Sequence, residues 1–255
     1  MPESYWVLLH SVVFLAALLQ TATGFGFAMI SVPVLLIVLN TSAAIQVGII
    51  LSLLIALLLM PSLWKHVDKR LLRLFVVGSC LGIPVGVFLY VAVNLGVLKL
   101  LAGLVVMLSI LTALGWVGRP AQKDPATVSF AADLGVGVAS GIMNASLAIP
   151  GVVPLVRMIQ LSAARETVRA TILALFVFSY PLAITLQAVL AGLTPGTLKI
   201  TATLIPATLA GLMAGRVLVS RITQKTFIRI ILVLLVSSMI GLFIDAGWTL
   251  LGVRS

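Results

Sequence analysis

Apolar stretches near or above the roughly 20 residues that cross a bilayer recur along this whole chain, with no polar domain between them. They run over residues 5–38, 43–63, 71–93, 97–117, 127–157, 166–190, 197–220 and 226–247. A chain built this way folds as membrane-spanning helices, and the membrane part is the whole protein. The 9% charged content is far below the roughly 25% of a soluble domain. The net charge of +10 would suggest nucleic acid in a soluble protein. Here the basic residues sit in short interhelical loops, where orientation and anionic lipid explain them, so lipid is an expected partner and nucleic acid is not. Met1 to Glu3 offers no basic leader region, so the first run reads as structure. The single cysteine, Cys80, forbids an internal disulfide and reads as a small buried hydrophobe.

The first and fifth runs exceed 30 residues, too long for one ordinary crossing. Both carry helix breakers at mid-length: Thr21 to Phe27 with Pro33 following, and Gly141 to Gly151 with Pro154 following. Setting Pro33 against Pro154 aligns Ser31–Leu35 with Val152–Val156 and Asn40–Ala44 with Leu161–Arg165. The chain therefore reads as two repeats, 1–120 and 121–255, each a broken segment followed by three transmembrane helices.

Basic residues orient the repeats. Eight single crossings would divide the 16 Lys and Arg evenly, which natural membrane proteins seldom do. If each broken segment is a re-entrant hairpin, Lys65, Lys69, Arg70, Arg73, Arg119, Lys123, Arg157, Arg165, Arg169, Arg216, Arg221, Lys225 and Arg229 share one face. Lys99, Lys199 and Arg254 remain opposite. That asymmetry predicts inverted halves with both termini outside. It also predicts hairpin arms of about 14 to 16 residues, too short to cross. A single broken crossing stays open as the alternative.

Backbone leaves a helix at membrane depth only where protein or a cavity satisfies its N–H and C=O groups. A half-helix starting there presents unpaired N–H groups and a positive dipole end, which suits an anion. Interrupted segments at matching places in inverted halves point to a transport site. The expected binding residues are Gln20, Thr21, Thr23, Gly24, Phe25, Gly26, Phe27, Ser31 and Pro33 at the first break. At the second they are Asn144, Ala145, Ser146, Pro150 and Gly151. Arg169, near Arg165 and Glu166 on one helical turn, is expected to receive or guide the anion, and Tyr180 to present its hydroxyl. Asp133 and His10, ionisable within apolar segments, are candidates for a proton relay. Gly82, Gly86, Gly211 and Gly215, spaced by four, read as helix-packing residues. Gln20 and Gln46 are amides at depth that need partners.

There is no HExxH, Walker loop or CxxC, so neither enzyme chemistry nor a metal or other cofactor is expected. The chain reads as a secondary transporter for a small anion, coupled to protons. An uncoupled anion pore is the alternative, and an intramembrane enzyme or assembly subunit is disfavoured. A homo-oligomer is left open.

Gly24 to Leu35 (GFGFAMISVPVL), the repeated Pro154 and the paired four-segment arrangement resemble the sulfite exporter TauE/SafE family over essentially the whole chain. The resemblance implies transport of sulfite, organosulfonates or similar anions across the bacterial inner membrane. Its glycine-rich motif maps onto Gly24, Gly26 and Pro33, and onto the region ending at Pro154. Asn144 to Gly151 (NASLAIPG) departs from the usual glycine-rich run.

Overall fold

The computed structural model describes residues 3–114, 129–218 and 224–251. Among them lie ten α-helices: α1 (Glu3–Thr23), α2 (Phe27–Leu39), α3 (Ala43–Leu63), α4 (Lys69–Ala92), α5 (Leu95–Ala113), α6 (Phe130–Leu147), α7 (Val152–Gln160), α8 (Arg165–Ala191), α9 (Pro195–Leu218) and α10 (Gln224–Leu250). Eight are long and apolar enough to cross a membrane, and α2 and α7 are not. Of the basic residues used above, Arg119, Lys123, Arg221 and Arg254 lie outside the described residues.

The two broken segments are less even than the sequence suggests. Their first arms are 21 and 18 residues, long enough to cross alone, while their second arms are 13 and 9. The expected arms of 14 to 16 residues are thus corrected in both halves. Thr21 and Thr23 remain within α1, where their hydroxyls are satisfied on Ala17 O (2.8 Å) and Leu19 O (3.0 Å) rather than left for a cavity. Ser146 is likewise satisfied on Ile142 O (2.7 Å), α6 runs past Asn144 and the second break is confined to Ala148–Gly151.

Side-chain caps sit at the starts of α4, α5, α6 and α9: Asp68 accepts from the N–H groups of Arg70 and Leu71, Asn94 from Val97, Ser129 from Ala132 and Thr194 from Thr197. The half-helices α2 and α7 have none, as is also true of α3 and α8.

With lipid all round, helices associate by close packing rather than by hydrophobic drive. The small residues sit where this requires them. Along α4, a methyl added at Gly78, Gly82 or Gly86 would lie 2.4, 2.1 or 2.4 Å from the carbonyls of Leu134, Val138 and Ile142 on α6. Residue numbers rise together, so α4 and α6 run parallel. Gly211 and Gly215 of α9 abut Phe14 O and Leu18 O of α1 in the same parallel sense. These contacts bear out the packing role read for Gly82, Gly86, Gly211 and Gly215. Cys80, expected to be buried, is exposed on α4.

The remaining central contacts are antiparallel. Gln46 Nε2 donates to Gly192 O (2.9 Å) at one end of α3 and α8, and Asp68 N to Thr171 Oγ1 (3.0 Å) at the other. Leu250 lies over Gly96 and Phe243 over Gly103 between α5 and α10. Such links fix two ends of the bundle. The end holding the α3–α4 turn, the start of α8 and the end of α9 is tied by His66 Nε2 to Glu166 (3.2 Å) and by Arg216 to Leu58 O (3.1 Å). Lys65, Lys69, Arg70, Arg73, Arg157, Arg165, Arg169 and Arg216 belong to that end, and Lys99 and Lys199 to the other.

Candidate functional site

The first break turns on two glycines in the left-handed region, Gly24 (φ 87°) and Gly26 (φ 104°). Gly24 N closes the last turn of α1 onto Gln20 O (2.8 Å), and Thr23 Oγ1 accepts from Phe25 N (3.3 Å). Gly24 also lies against Arg169: an added methyl would be 2.6 Å from its Cγ and 2.9 Å from its Cα. From that position Arg169 Nη2 donates to Thr21 O, placing a cation on an orphan carbonyl at the negative end of α1.

The second break begins at Ala148, a left-handed non-glycine residue (φ 61°). Its N–H donates to Asn144 O (2.8 Å), and Ile149 N donates to Met143 O (3.2 Å), a Schellman-type ending for α6. Three side chains hold the freed carbonyls. Tyr180 OH donates to Ala148 O (3.0 Å), Gln187 Nε2 to Ala145 O (2.7 Å) and Ser140 Oγ to Pro150 O (2.7 Å).

The two breaks meet. A methyl on Gly151 would lie 3.3 Å from Phe25 Cβ, and both residues line one small cavity. Phe25, Gly26 and the first turn of α2 (Ala28, Met29) form one wall, and Ala148 to Gly151 another. Ser52 of α3, with Phe176 and Tyr180 of α8, closes the space halfway along those two spanning helices. Ser52 is braced by Gln20: its hydroxyl donates to Gln20 Oε1 (2.8 Å) and its carbonyl accepts from Gln20 Nε2 (3.0 Å).

The chemistry of this space follows from the helix starts beside it. Phe27, Ala28 and Met29 at the head of α2 have N–H groups without an intrahelical partner, as do Val152 and Val153 at the head of α7; Pro154 has none to offer. No side chain caps either start. Two positive dipole ends therefore flank one cavity whose described lining carries no charged residue. Such a lining can hold an anion by neutral donors alone.

Of the residues expected from sequence, Phe25, Gly26, Pro150, Gly151 and Tyr180 line the cavity, and Gln20 supports it through Ser52. Gly24 packs on Arg169, and Phe27 and Pro33 are buried within α2. The hydroxyls of Thr21, Thr23, Ser31 and Ser146 are engaged with carbonyls of their own helices. Ala145 offers its carbonyl to Gln187. Asn144 is fully buried, with neither amide atom hydrogen-bonded. Asp133 is deeper than expected: it is fully buried and accepts from Arg157 Nε at 2.7 Å, its Oδ2 having no hydrogen bond. His10 has Nδ1 2.7 Å from Trp6 O and Nε2 3.1 Å from Thr203 O. Neither Asp133 nor His10 lines the cavity.

Ser52, Phe176 and Gln187 were not anticipated. A signal existed for Ser52, the only polar side chain between Val47 and Met60, and for Gln187, the only amide in α8. Phe176 carried none, being one apolar residue among many.

A family model described as sulfite exporter TauE/SafE matches residues 9–242, which spans both breaks and every cavity-lining residue. The chain belongs to this family. It is accordingly a multi-pass membrane protein of a family that exports sulfite and related anions. No curated protein and no solved structure matches it.

Proposed function

We propose that the chain is a secondary transporter that carries sulfite or an organosulfonate across the bacterial inner membrane, coupled to protons, with the anion held between the two breaks. The observation that carries this reading is the pair of uncapped half-helix starts flanking one cavity, one contributed by residues 1–120 and the other by 121–255. A dehydrated oxyanion needs several donors at once, and the backbone N–H groups of the two helix starts are of the right kind, the hydroxyl protons of Tyr180 and Ser52 being already given to Ala148 O and Gln20 Oε1. Because these donors are neutral, the anion is held firmly enough to enter and loosely enough to leave.

The two segments act as inverted halves in this proposal. Matched packings support it: α1 on α9 answers α4 on α6, and α3 on α8 and α5 on α10 join equivalent helices antiparallel. The basic end of the bundle is cytoplasmic by the positive-inside rule, with the termini outside. The cavity has room for little more than a water molecule, so a larger solute passes only when helices part. That favours a carrier over a standing pore. Asp133, with one carboxylate oxygen free of hydrogen bonds, and His10 are the proposed proton relay.

Flux in proteoliposomes tests the reading. Saturable sulfite uptake that follows an imposed proton gradient is expected, whereas conductance that never saturates would establish a pore instead.

A further inference from the structure

Among the described residues two ion pairs are buried, and each sits at the far end of one of the two half-helices. Arg157 lies in the last turn of α7 and donates through Nε to Asp133 of α6 (2.7 Å). At the opposite end of the molecule Lys99 of α5, with no exposed surface, lies 2.5 Å from Asp245 Oδ2 of α10. The same ammonium donates to Asn40 Oδ1 (2.7 Å) and Thr249 Oγ1 (3.2 Å). Asn40 is the left-handed C-cap of α2 (φ 48°), and its N–H closes onto Leu36 O. The C-terminus of α2 is therefore moored to Lys99 as that of α7 is to Asp133.

Packing alone does not call for these charges. Glycines already seat α5 on α10 and α6 on α4, and a buried ion pair can commonly be replaced by apolar residues without loss of stability. Removing one partner is different, because it strands a charge in a dry interior. Ionisable groups kept inside membrane segments mark function. Both half-helices begin at the cavity, so the far end of each is the place from which its opening is governed.

We infer that the two buried pairs are latches on the half-helices: release of Lys99–Asp245 frees α2 and opens the cavity outward, and release of Arg157–Asp133 frees α7 and opens it to the cytoplasm. This rests on the carrier reading above. Lys99 and Arg157 also lie where a cation complements the negative end of each half-helix, so each latch acts on charge and on hydrogen bonding together.

Side-specific accessibility tests the latches. The reporter is Met29→Cys in a Cys80→Ser protein, reacted with a membrane-impermeant thiol reagent in right-side-out and inverted vesicles. Asn40→Gly keeps the left-handed backbone and the ion pair but deletes the tie from Lys99 to α2. It is expected to speed labelling from outside about tenfold, the factor that one lost charged hydrogen bond confers on a two-state opening. Labelling from the cytoplasmic side should not accelerate. Asp133→Asn is expected to do the reverse. Unchanged rates, or equal acceleration from both faces, overturn the inference. Should Asn40→Gly fail to fold, Lys99→Met with Asp245→Leu replaces it. The charge swap Lys99→Asp with Asp245→Lys must then restore the parent rate, and failure to do so assigns the pair a structural role only. Sulfite-dependent thermal stabilisation of the parent is measured alongside. Its absence would refute the carrier reading while leaving the labelling results standing.

Discussion

Alanine at Gly26 and at Gly86 adds the same methyl group with different consequences. Gly26 sits at φ 104°, where an L-residue costs about 1–2 kcal/mol. Its methyl would meet only the end of a flexible side chain, Leu19 Cδ2 at 2.9 Å, which can turn aside. The strain is released by shifting the start of α2, whose first-turn residues Ala28 and Met29 line the cavity. A loss of about 1–2 kcal/mol in anion binding corresponds to roughly 5- to 30-fold in Kd. At Gly86 the backbone is helical, but the methyl would lie 2.4 Å from Ile142 O and 2.9 Å from Ala145 Cβ. Those atoms belong to the wall of α6 and cannot rotate away, so α4 and α6 must separate at about 1–3 kcal/mol of stability. Thermal unfolding of detergent-purified protein with and without sulfite separates the cases, because a ligand raises Tm by mass action on the folded state. Gly86→Ala should lower the baseline Tm and keep the sulfite increment. Gly26→Ala should keep most of the baseline and lose most of the increment. A folded Gly26→Ala protein with the parent's full increment would refute the placement of the anion at the head of α2.

Tyr180→Phe leaves the ring in the cavity wall but strips Ala148 O of its donor, and should cost about 1–3 kcal/mol of stability by thermal unfolding together with weaker sulfite binding. Arg169→Met removes the cation from the end of α1 without touching the cavity lining, so initial uptake should slow severalfold while the sulfite-dependent Tm increment survives; complete loss of binding in a folded protein would put Arg169 in the site itself. In a Cys80→Ser background, His66→Cys and Thr194→Cys should react with impermeant reagent from opposite sides of the membrane, His66→Cys from the cytoplasm. Reaction from the same side would overturn the topology.

The helical membrane class was legible because lipid imposes it: every apolar run had to become helix, and among the described residues each contains one or two. Both breaks were legible from Gly24, Gly26 and Pro150–Gly151, since few residues leave a helix at depth without glycine or proline. Their extent was not, because Thr21, Thr23 and Ser146 look like cavity polarity in a sequence and act as satisfied helix residues in the fold. A hydroxyl that bonds its own i−4 carbonyl and one that faces a cavity have the same letter. Cys80 misled for a related reason: in a soluble core an apolar run means burial, whereas here the outward face of α4 is apolar too. Asp245 shows the converse limit. The one acidic residue of α10, it had no visible partner, since Lys99 lies more than a hundred residues away and only the pairing of α5 with α10 joins them.

The geometry of the two breaks is governed less by the broken segments than by α8. Three donors from this one 27-residue helix reach them: Arg169 to Thr21 O in the first break, and Tyr180 and Gln187 to Ala148 O and Ala145 O in the second. From Arg169 to Tyr180 is about 16 Å along a helix axis. A continuous helix holds that length far better than a loop, so the separation of the two half-helix starts is set before any anion arrives. Preorganisation of this kind matters most when the donors are neutral N–H groups, each weak alone and effective only when several converge. It also constrains motion: to part the breaks, either a donor on α8 must let go or the half-helices must swing at their far ends while their starts stay held. Tyr180 and Gln187 are buried, where a broken hydrogen bond leaves a carbonyl without water to replace it. Movement therefore falls to the distal ends of α2 and α7, the two places where a charged pair rather than α8 provides the hold.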